Sequence, residues 1–492
     1  MAVQEHGAAG GSGVVPEEGP VTQDLDPEPA RDSGLELDPG LAADPGLAAD
    51  PGLAADPGLA ADPGLAADPG LAADPGLERD RGVEGDRGPE RWRQVRSVIG
   101  WTDRPVVSGL IALLAFTAFV VARWDLWARR SIGRFILIGE HFAHPAQLPP
   151  GMPLRAAYGY DGQFYYRLAN NPFNFSHTAY GITVDRAYRF MRIGYPVLTW
   201  LASAGQRALI PYMLVAVNVA ALAALAYFGA MFARQGGRHA AWGLLLPGYF
   251  GLVTSVSRDT AEPVAAAFMI GGLLAVRARR PYLAALLLAF GALTRETVMV
   301  AVAAIGLVRL AGLARRRIRP GREDIAWIVP AAVFAAWQVV IYAVIGTFPL
   351  VADGGRNAGA PLIAPLEAIK YNLLHIDFAA YNGVDSWLAE LAVLLLFALV
   401  ALISWRISRV PIHEKVALVL FLIEICVVTP STWSSRTADL RSFVEVFLMA
   451  VIVLLGRPRQ QRRNPGAWLL PAATVGLLPV VGDIIRLRLH WS

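Results

Sequence analysis

The chain is expected to fold as an all-α polytopic membrane protein of about eleven transmembrane helices, with a large first loop containing amphipathic helices and a disordered N-terminal tail. Three observations carry this expectation. Of 492 residues, 55% are hydrophobic, which is too apolar for an ordinary soluble domain. Charge is split along the chain: residues 1–90 hold 20 Asp and Glu against four Arg, whereas the remainder holds 40 basic against 20 acidic residues. Finally, basic residues gather in every second connection between apolar runs, as they do in the cytoplasmic loops of membrane proteins.

Residues 1–92 form an acidic tail with a near-perfect Asp-Pro-Gly-Leu-Ala-Ala repeat, whose units start at Asp38, Asp44, Asp50, Asp56, Asp62, Asp68 and Asp74. Proline and glycine in every unit forbid a continuous helix, and one Leu per unit supplies too little apolar surface for a core, so the tail reads as disordered. Stacking into a solenoid is the alternative. An acidic tail is repelled by anionic lipid and stands away from the membrane. The N-terminus is polar and acidic rather than basic and then apolar, so the first span is expected to serve as the insertion signal.

The membrane domain is read over residues 93–492, and Arg91, Arg93 and Arg96 precede its first span at 106–122. Further spans are expected near 209–232, 240–256, 260–276, 281–294, 297–313, 325–345, 387–405, 413–430, 442–456 and 467–483. Several are shorter than the ~20 residues that cross a bilayer, so 281–313 reads as a tilted or partly re-entrant pair. Arg234 and Arg238, then Arg277 to Arg280, Arg315 to Arg322, Arg406 to Lys415, and Arg457 to Arg463 occupy alternate connections and are assigned to the cytoplasm with the N-terminus. The opposite connections, 123–208, 257–259, the turn near 295, 346–386 and 431–441, then face the extracytoplasmic side of a bacterial plasma membrane. Lys370 and Lys415 are the only lysines, and the Arg-dominated remainder suits phosphate recognition as well as a GC-rich coding sequence. Cys426 is alone, which excludes an intrachain disulfide framework and a thiolate metal site.

The outward connections mix acids with arginines, which topology alone does not require. Asp161, Gln163, Arg167, Asp185, Arg189 and Arg192 lie among tyrosines in the first of them; Arg258, Asp259 and Glu262, then Arg295 and Glu296, then Arg436, Asp439 and Arg441 lie in others. Ionisable groups at a membrane boundary are costly unless paired or functional. Each has a structural reading. Asp161 could cap a short helix, Asp259 with Glu262 could form a capping box, and Arg295 with Glu296 could be an ion pair. The loop aromatics fit an interfacial belt. Glu390, Glu424 and Glu445 suit interhelical hydrogen bonds better than a proton relay, and His141 with His144 lacks a third metal ligand. Together, however, these turns would place an acid/base group and phosphate-binding donors at one membrane face.

At Tyr160, Asp161 and Gly162, at Arg192 through Pro196 and at Leu293 through Glu296, the chain resembles multi-spanning glycosyltransferases of the GT-C superfamily, including PIG-V-like and GT87-like mannosyltransferases. The likeness spans roughly residues 105–455. It implies an all-helical enzyme that moves a sugar, with inversion, from a polyprenyl-phosphate donor to an acceptor hydroxyl on the extracytoplasmic face. It also implies Asp161 as catalytic base. Gln163, Arg189, Arg192, Arg258, Asp259, Glu262, Arg295, Glu296, Arg436 and Arg441 are the accompanying substrate-binding candidates. No cofactor or metal is indicated. The expected partners are the lipid-linked donor, a glycan or lipid acceptor and membrane lipids, with no nucleic acid. Asp161 lies 38 residues beyond Arg123, farther from the first span than in the family, and the stretch from Ser131 to Ala143 is expected to lie along the surface as an amphipathic segment and bring it back. Asp185 is the rival base. A secondary transporter, which would show internal repeats, and a non-catalytic scaffold with a partner-recruiting tail are the alternative functions.

Overall fold

The computed structural model describes residues 101–155, 158–352, 359–375, 383–429, 433 and 440–456. The repeat tail, the expected last span and Arg436 lie outside the described residues. The described residues are mostly helical. In chain order the helices are α1 (Pro105–Leu126), α2 (Gly133–Ile136), α3 (Gly162–Asn170), α4 (Tyr188–Met191), α5 (Gly194–Ala202), α6 (Ile210–Gln235), α7 (Phe250–Val256), α8 (Glu262–Arg277), α9 (Pro281–Thr294), α10 (Val298–Ala314), α11 (Ile325–Ile345), α12 (Ile363–Leu374), α13 (Gly383–Ile403), α14 (Ile412–Val427) and α15 (Val444–Leu455).

Among the described residues, three helices are long and apolar enough to cross a membrane: α1 with 22 residues, α6 with its preceding turn (29 residues), and α11 with its preceding turn (24 residues). Their outward faces are oily. Leu110, Ile111, Leu114 and Val121 on α1, and Ile328, Val339 and Val344 on α11, are exposed. In water such continuous apolar surface is unfavourable, whereas in lipid it is the low-energy arrangement, with backbone groups satisfied within the helix. The centre of the bundle is α15, all twelve of whose residues are buried, with α6, α8, α13 and α14 packed against it.

One expected span, 240–256, takes another form, whereas 281–294 and 297–313 are helices within a residue of the expected bounds. Residues 240–256 are not one helix: Ala240–Leu245 is a 3-10 helix, followed by a break at Pro247 and Gly248 and then the seven-residue α7. Proline removes a ladder donor, which ends the helix there. The 281–313 stretch is two helices of 14 and 17 residues joined through residues 295–297. At ~1.5 Å per residue a 14-residue helix rises only ~21 Å, short of the ~30 Å hydrocarbon layer.

The first loop, 123–208, is a packed layer rather than a surface helix. Within the segment expected to be amphipathic, only α2 is helical; the chain then forms β1 (Ile138–Gly139), which pairs in parallel with β2 (Leu154–Arg155). Phe135, Ile136 and Ile138 are fully buried, so the surface placement is corrected. A small hairpin follows, β3 (Thr178–Ala179) against β4 (Ile182–Thr183), turning through Tyr180 and Gly181, both at positive φ. The helix α3 is buried on every side, and its Arg167 donates to the carbonyls of Asn174 and Ser176. Two hydrogen bonds clamp the layer to the bundle: Trp337 Nε1 of α11 donates to the Phe190 carbonyl at 3.1 Å, and Tyr195 Oη donates to the Leu214 carbonyl at 2.8 Å.

Gly162 sets how closely this layer approaches the bundle. A β-carbon there would collide with the carbonyl oxygens of Arg258 and Ile136. Gly162→Ala is therefore expected to lower the thermal unfolding temperature in detergent, by an overpacking cost of roughly 1–3 kcal/mol; an unchanged melting temperature would show that the contact is not tight.

Candidate functional site

Asp161 occupies the N-cap position of α3, but its backbone is already helical and its side chain makes no capping bond. The carboxylate is taken up elsewhere. Its Oδ1 accepts from Arg189 Nη1 and its Oδ2 from Arg441 Nη2, each at 2.7 Å. The side chain remains 22% exposed, so water reaches it. Arg189 comes from α4 and also pairs with Asp185 at 3.2 Å, while its guanidinium lies 4.0 Å from the Phe164 ring centroid. The two rival carboxylates thus share one arginine.

From Arg441 the network runs inward. Its Nη1 donates to Glu262 at the start of α8, and Glu262 lies 3.2 Å from Arg295 Nη1 and accepts from Ser255 Oγ at 3.1 Å. Arg295 in turn stands 3.8 Å from Glu445 of α15, which accepts from Thr297 Oγ1 at 2.6 Å. Glu445 therefore acts as an interhelical hydrogen-bond acceptor. Glu296 closes a second branch, accepting from Arg192 Nε at 2.9 Å and from the Tyr188 hydroxyl. The Tyr160 ring has Arg258 on it at 4.6 Å and Arg441 at 4.8 Å. Four separate stretches meet here because the N-terminal ends of α8, α10 and α15 and the C-terminal end of α9 share one end of the bundle.

Other candidates are positioned differently. The Gln163 amide is engaged by the loop itself, accepting from Gly139 N at 3.0 Å and donating to the Tyr158 carbonyl at 2.9 Å. The capping box is absent, since Ala261 is the N-cap of α8 and makes no side-chain cap bond. Asp259 is fully buried, sits at φ +49°, and neither carboxylate oxygen has a hydrogen-bond partner. Arg295 and Glu296 make their ion pairs with other elements. His144 Nε2 lies 2.8 Å from Thr183 Oγ1, and no group of three or more metal-ligating side chains is assembled among the described residues. Tyr188 was not a sequence candidate; its spacing four residues before Arg192 on one helical face was the available signal.

Electrostatics follow the pairing. Burial opposes ionisation of Asp161, but Arg189, Arg441 and Arg192 together outweigh it and hold the carboxyl well below the usual carboxylate range. Burial likewise opposes ionisation of Glu296; Arg192, then Arg295 and the Tyr188 hydroxyl, overcome it and bring the carboxyl to about 2. Asp259 goes the other way: burial, opposed only by Arg123, pushes its carboxyl well up. The arrangement can hold an ionised carboxylate beside several fixed guanidiniums at a partly open position.

No family model matches the chain, and neither a curated protein nor a solved structure is similar to it.

Because Asp161 and Glu296 have depressed values in the folded state, their stabilising contribution is fully present above their unfolded values near ~4 and is lost as pH falls towards and through the folded ones. Asp259 has the opposite sign, since its raised value makes folding take up a proton, so thermal stability in detergent is expected to rise as pH falls from 7 to 5 and then to fall between pH 4 and 2; a drop centred near pH 6 would contradict this. Arg192→Met leaves Glu296 without its main counter-charge and is expected to cost roughly 3–5 kcal/mol, whereas the double variant Arg192→Met with Glu296→Leu costs less. Equal losses in the two variants would remove the coupling.

Proposed function

We propose that the protein is an integral membrane glycosyltransferase of GT-C-like, inverting type, which moves a sugar from a polyprenyl-phosphate donor to a hydroxyl of a glycan or lipid acceptor. The observation that carries this reading is a solvent-reachable carboxylate, Asp161, held between Arg189 and Arg441 at 2.7 Å each, at one end of a bundle that has membrane-length apolar helices. It is supported by the convergence of three sequence motifs on one network: Asp161 from the first, Arg192 from the second, and Arg295 with Glu296 from the third.

In the proposed reaction the acceptor O–H gives its proton to Asp161 while its oxygen bonds to the anomeric carbon. The bond from that carbon to the phosphate oxygen breaks, and the electron pair leaves with the lipid phosphate. Arg189, Arg441 and Arg258 stabilise the charge developing there, electrostatic stabilisation being the largest contribution in many transfers. With the carboxylate bonded to two guanidiniums, Asp161 is a weak base. An arriving phosphate competes for the same guanidiniums, loosens their hold on the carboxylate, and raises its basicity when the acceptor is present. One base and no second nucleophile give inversion at the sugar.

The same proposal includes eleven spans, with the N-terminal tail and the Arg-rich connections in the cytoplasm and Asp161 outside a bacterial plasma membrane. The alternation of basic connections along the sequence supports it. A second reading, a non-catalytic membrane scaffold, draws on the fact that the ion pairs of Arg189, Arg192, Arg295 and Arg441 are already made within the chain.

Asp161→Asn separates the two. Transfer is expected to fall at least ~10²-fold, the scale of a lost general base, with membrane insertion and expression preserved. Cells carrying the variant should accumulate the polyprenyl-phosphate sugar in lipid extracts to the level of a deletion strain. Full activity in Asp161→Asn sinks the enzyme reading.

A further inference from the structure

A separate cavity of about 690 Å³ lies between the C-terminal end of α1 and the β1–β2 ladder. Trp127, Arg134, Arg155 and Tyr158 bring two guanidiniums and two aromatic rings to its wall, and none of the described residues that line it is a carboxylate. Its charge state differs from that of the Asp161 network. There Arg189 and Arg441 face acids, whereas neither Arg134 nor Arg155 has an ion-pair or side-chain hydrogen-bond partner among the described residues. Two cations around one cavity repel each other, and an anion between them relieves that repulsion. A guanidinium is a planar fork that matches phosphate oxygens two at a time. The volume falls in the range of small-ligand sites, roughly 300–1,000 Å³, enough for a headgroup or a phosphorylated monosaccharide.

Part of the wall is closely packed. A β-carbon at Gly133 would stand 2.9 Å from Pro153 Cδ, and one at Gly159, which sits at φ +65°, would collide with the backbone of Gly139. Gln163 ties both sides of the wall to α3 through Gly139 N and the Tyr158 carbonyl. Tyr158 and Gly159 then lead directly into Tyr160 and Asp161.

We propose that this cavity binds a phosphate ester, with Arg134 and Arg155 holding the phosphate and Trp127 and Tyr158 covering its organic part. The cavity's charge and shape do not depend on the glycosyltransferase reading, and binding is measurable without any transfer. The ester is either the headgroup of a lipid beside α1 or a soluble sugar phosphate.

Two measurements on the full chain distinguish these sources. In the first, radiolabelled hexose 1-phosphate is titrated onto protein in phosphatidylcholine nanodiscs; in the second, native mass spectrometry counts phosphatidylglycerol retained from mixed micelles. Saturable binding of one molecule per chain is expected in one arm, and that arm identifies the source. The double variant Arg134→Gln with Arg155→Gln should weaken it at least tenfold, and Arg155→Gln alone, at an exposed position, by an intermediate factor. Arg129→Gln, which removes an exposed charge outside the cavity, should leave it unchanged. Binding that survives the double variant in whichever arm shows it overturns the proposal. So does an equal loss in Arg129→Gln, or binding in neither arm.

Discussion

A carboxylate at the end of an apolar bundle is stable as an anion only if fixed positive charge stands beside it, and the sharing of Asp161 between Arg189 and Arg441 meets that requirement. One arginine belongs to the first loop and the other to the entry of α15, the buried centre of the bundle. The pairing therefore cannot form unless the loop docks as a layer against the helices. Gly162 permits the close approach, and Trp337 and Tyr195 hold it.

The remaining charges continue that logic. Asp185, Arg189, Asp161, Arg441, Glu262, Arg295 and Glu445 alternate in sign along one connected path. Glu262 and Arg295, in the middle of the path, are too buried to ionise unaided, and each is compensated by its neighbours. Taking such charges out of water costs several kcal/mol per ion, so the path adds little net stability over an apolar core. What it adds is specificity of register: four chain segments must arrive together, or an ion is left unmatched. At the opposite ends of α8 and α14, Arg277 and Glu414 form another buried pair, so an arginine that fits the positive-inside pattern also serves packing.

Asp259 shows the contrary case. Only three residues from Glu262, it is buried without a hydrogen-bond partner, and its carboxyl is driven towards the neutral form. Neighbouring acids therefore differ because Glu262 is paired with Arg441 and Arg295, whereas Asp259 has only the field of Arg123 and no hydrogen bond. The cavity at Arg134 and Arg155 presents the inverse imbalance, cations without acids among its described lining residues, and the proposed phosphate ester would supply the missing charge.

Much of the helical class was legible in the chain, because apolar runs of membrane length read directly as α1, α6 and α11. Local breakers were legible as well: Pro247 and Gly248 divide the 240–256 run. The sequence also determined which ionisable residues crowd the helix ends, and Glu445 as an interhelical acceptor followed from its place near a span end. Partner choice was not legible. Asp161 followed by Gly162 reads equally as a helix cap and as an ion-pair member, and α3 reads as amphipathic although it is buried on all sides. The tertiary structure decided between these because the guanidinium that claims Asp161 belongs to Arg441, 280 residues along the chain. A capping bond is a contact between neighbours and leaves a local pattern, whereas the pairing of two distant charges depends on how the intervening helices pack.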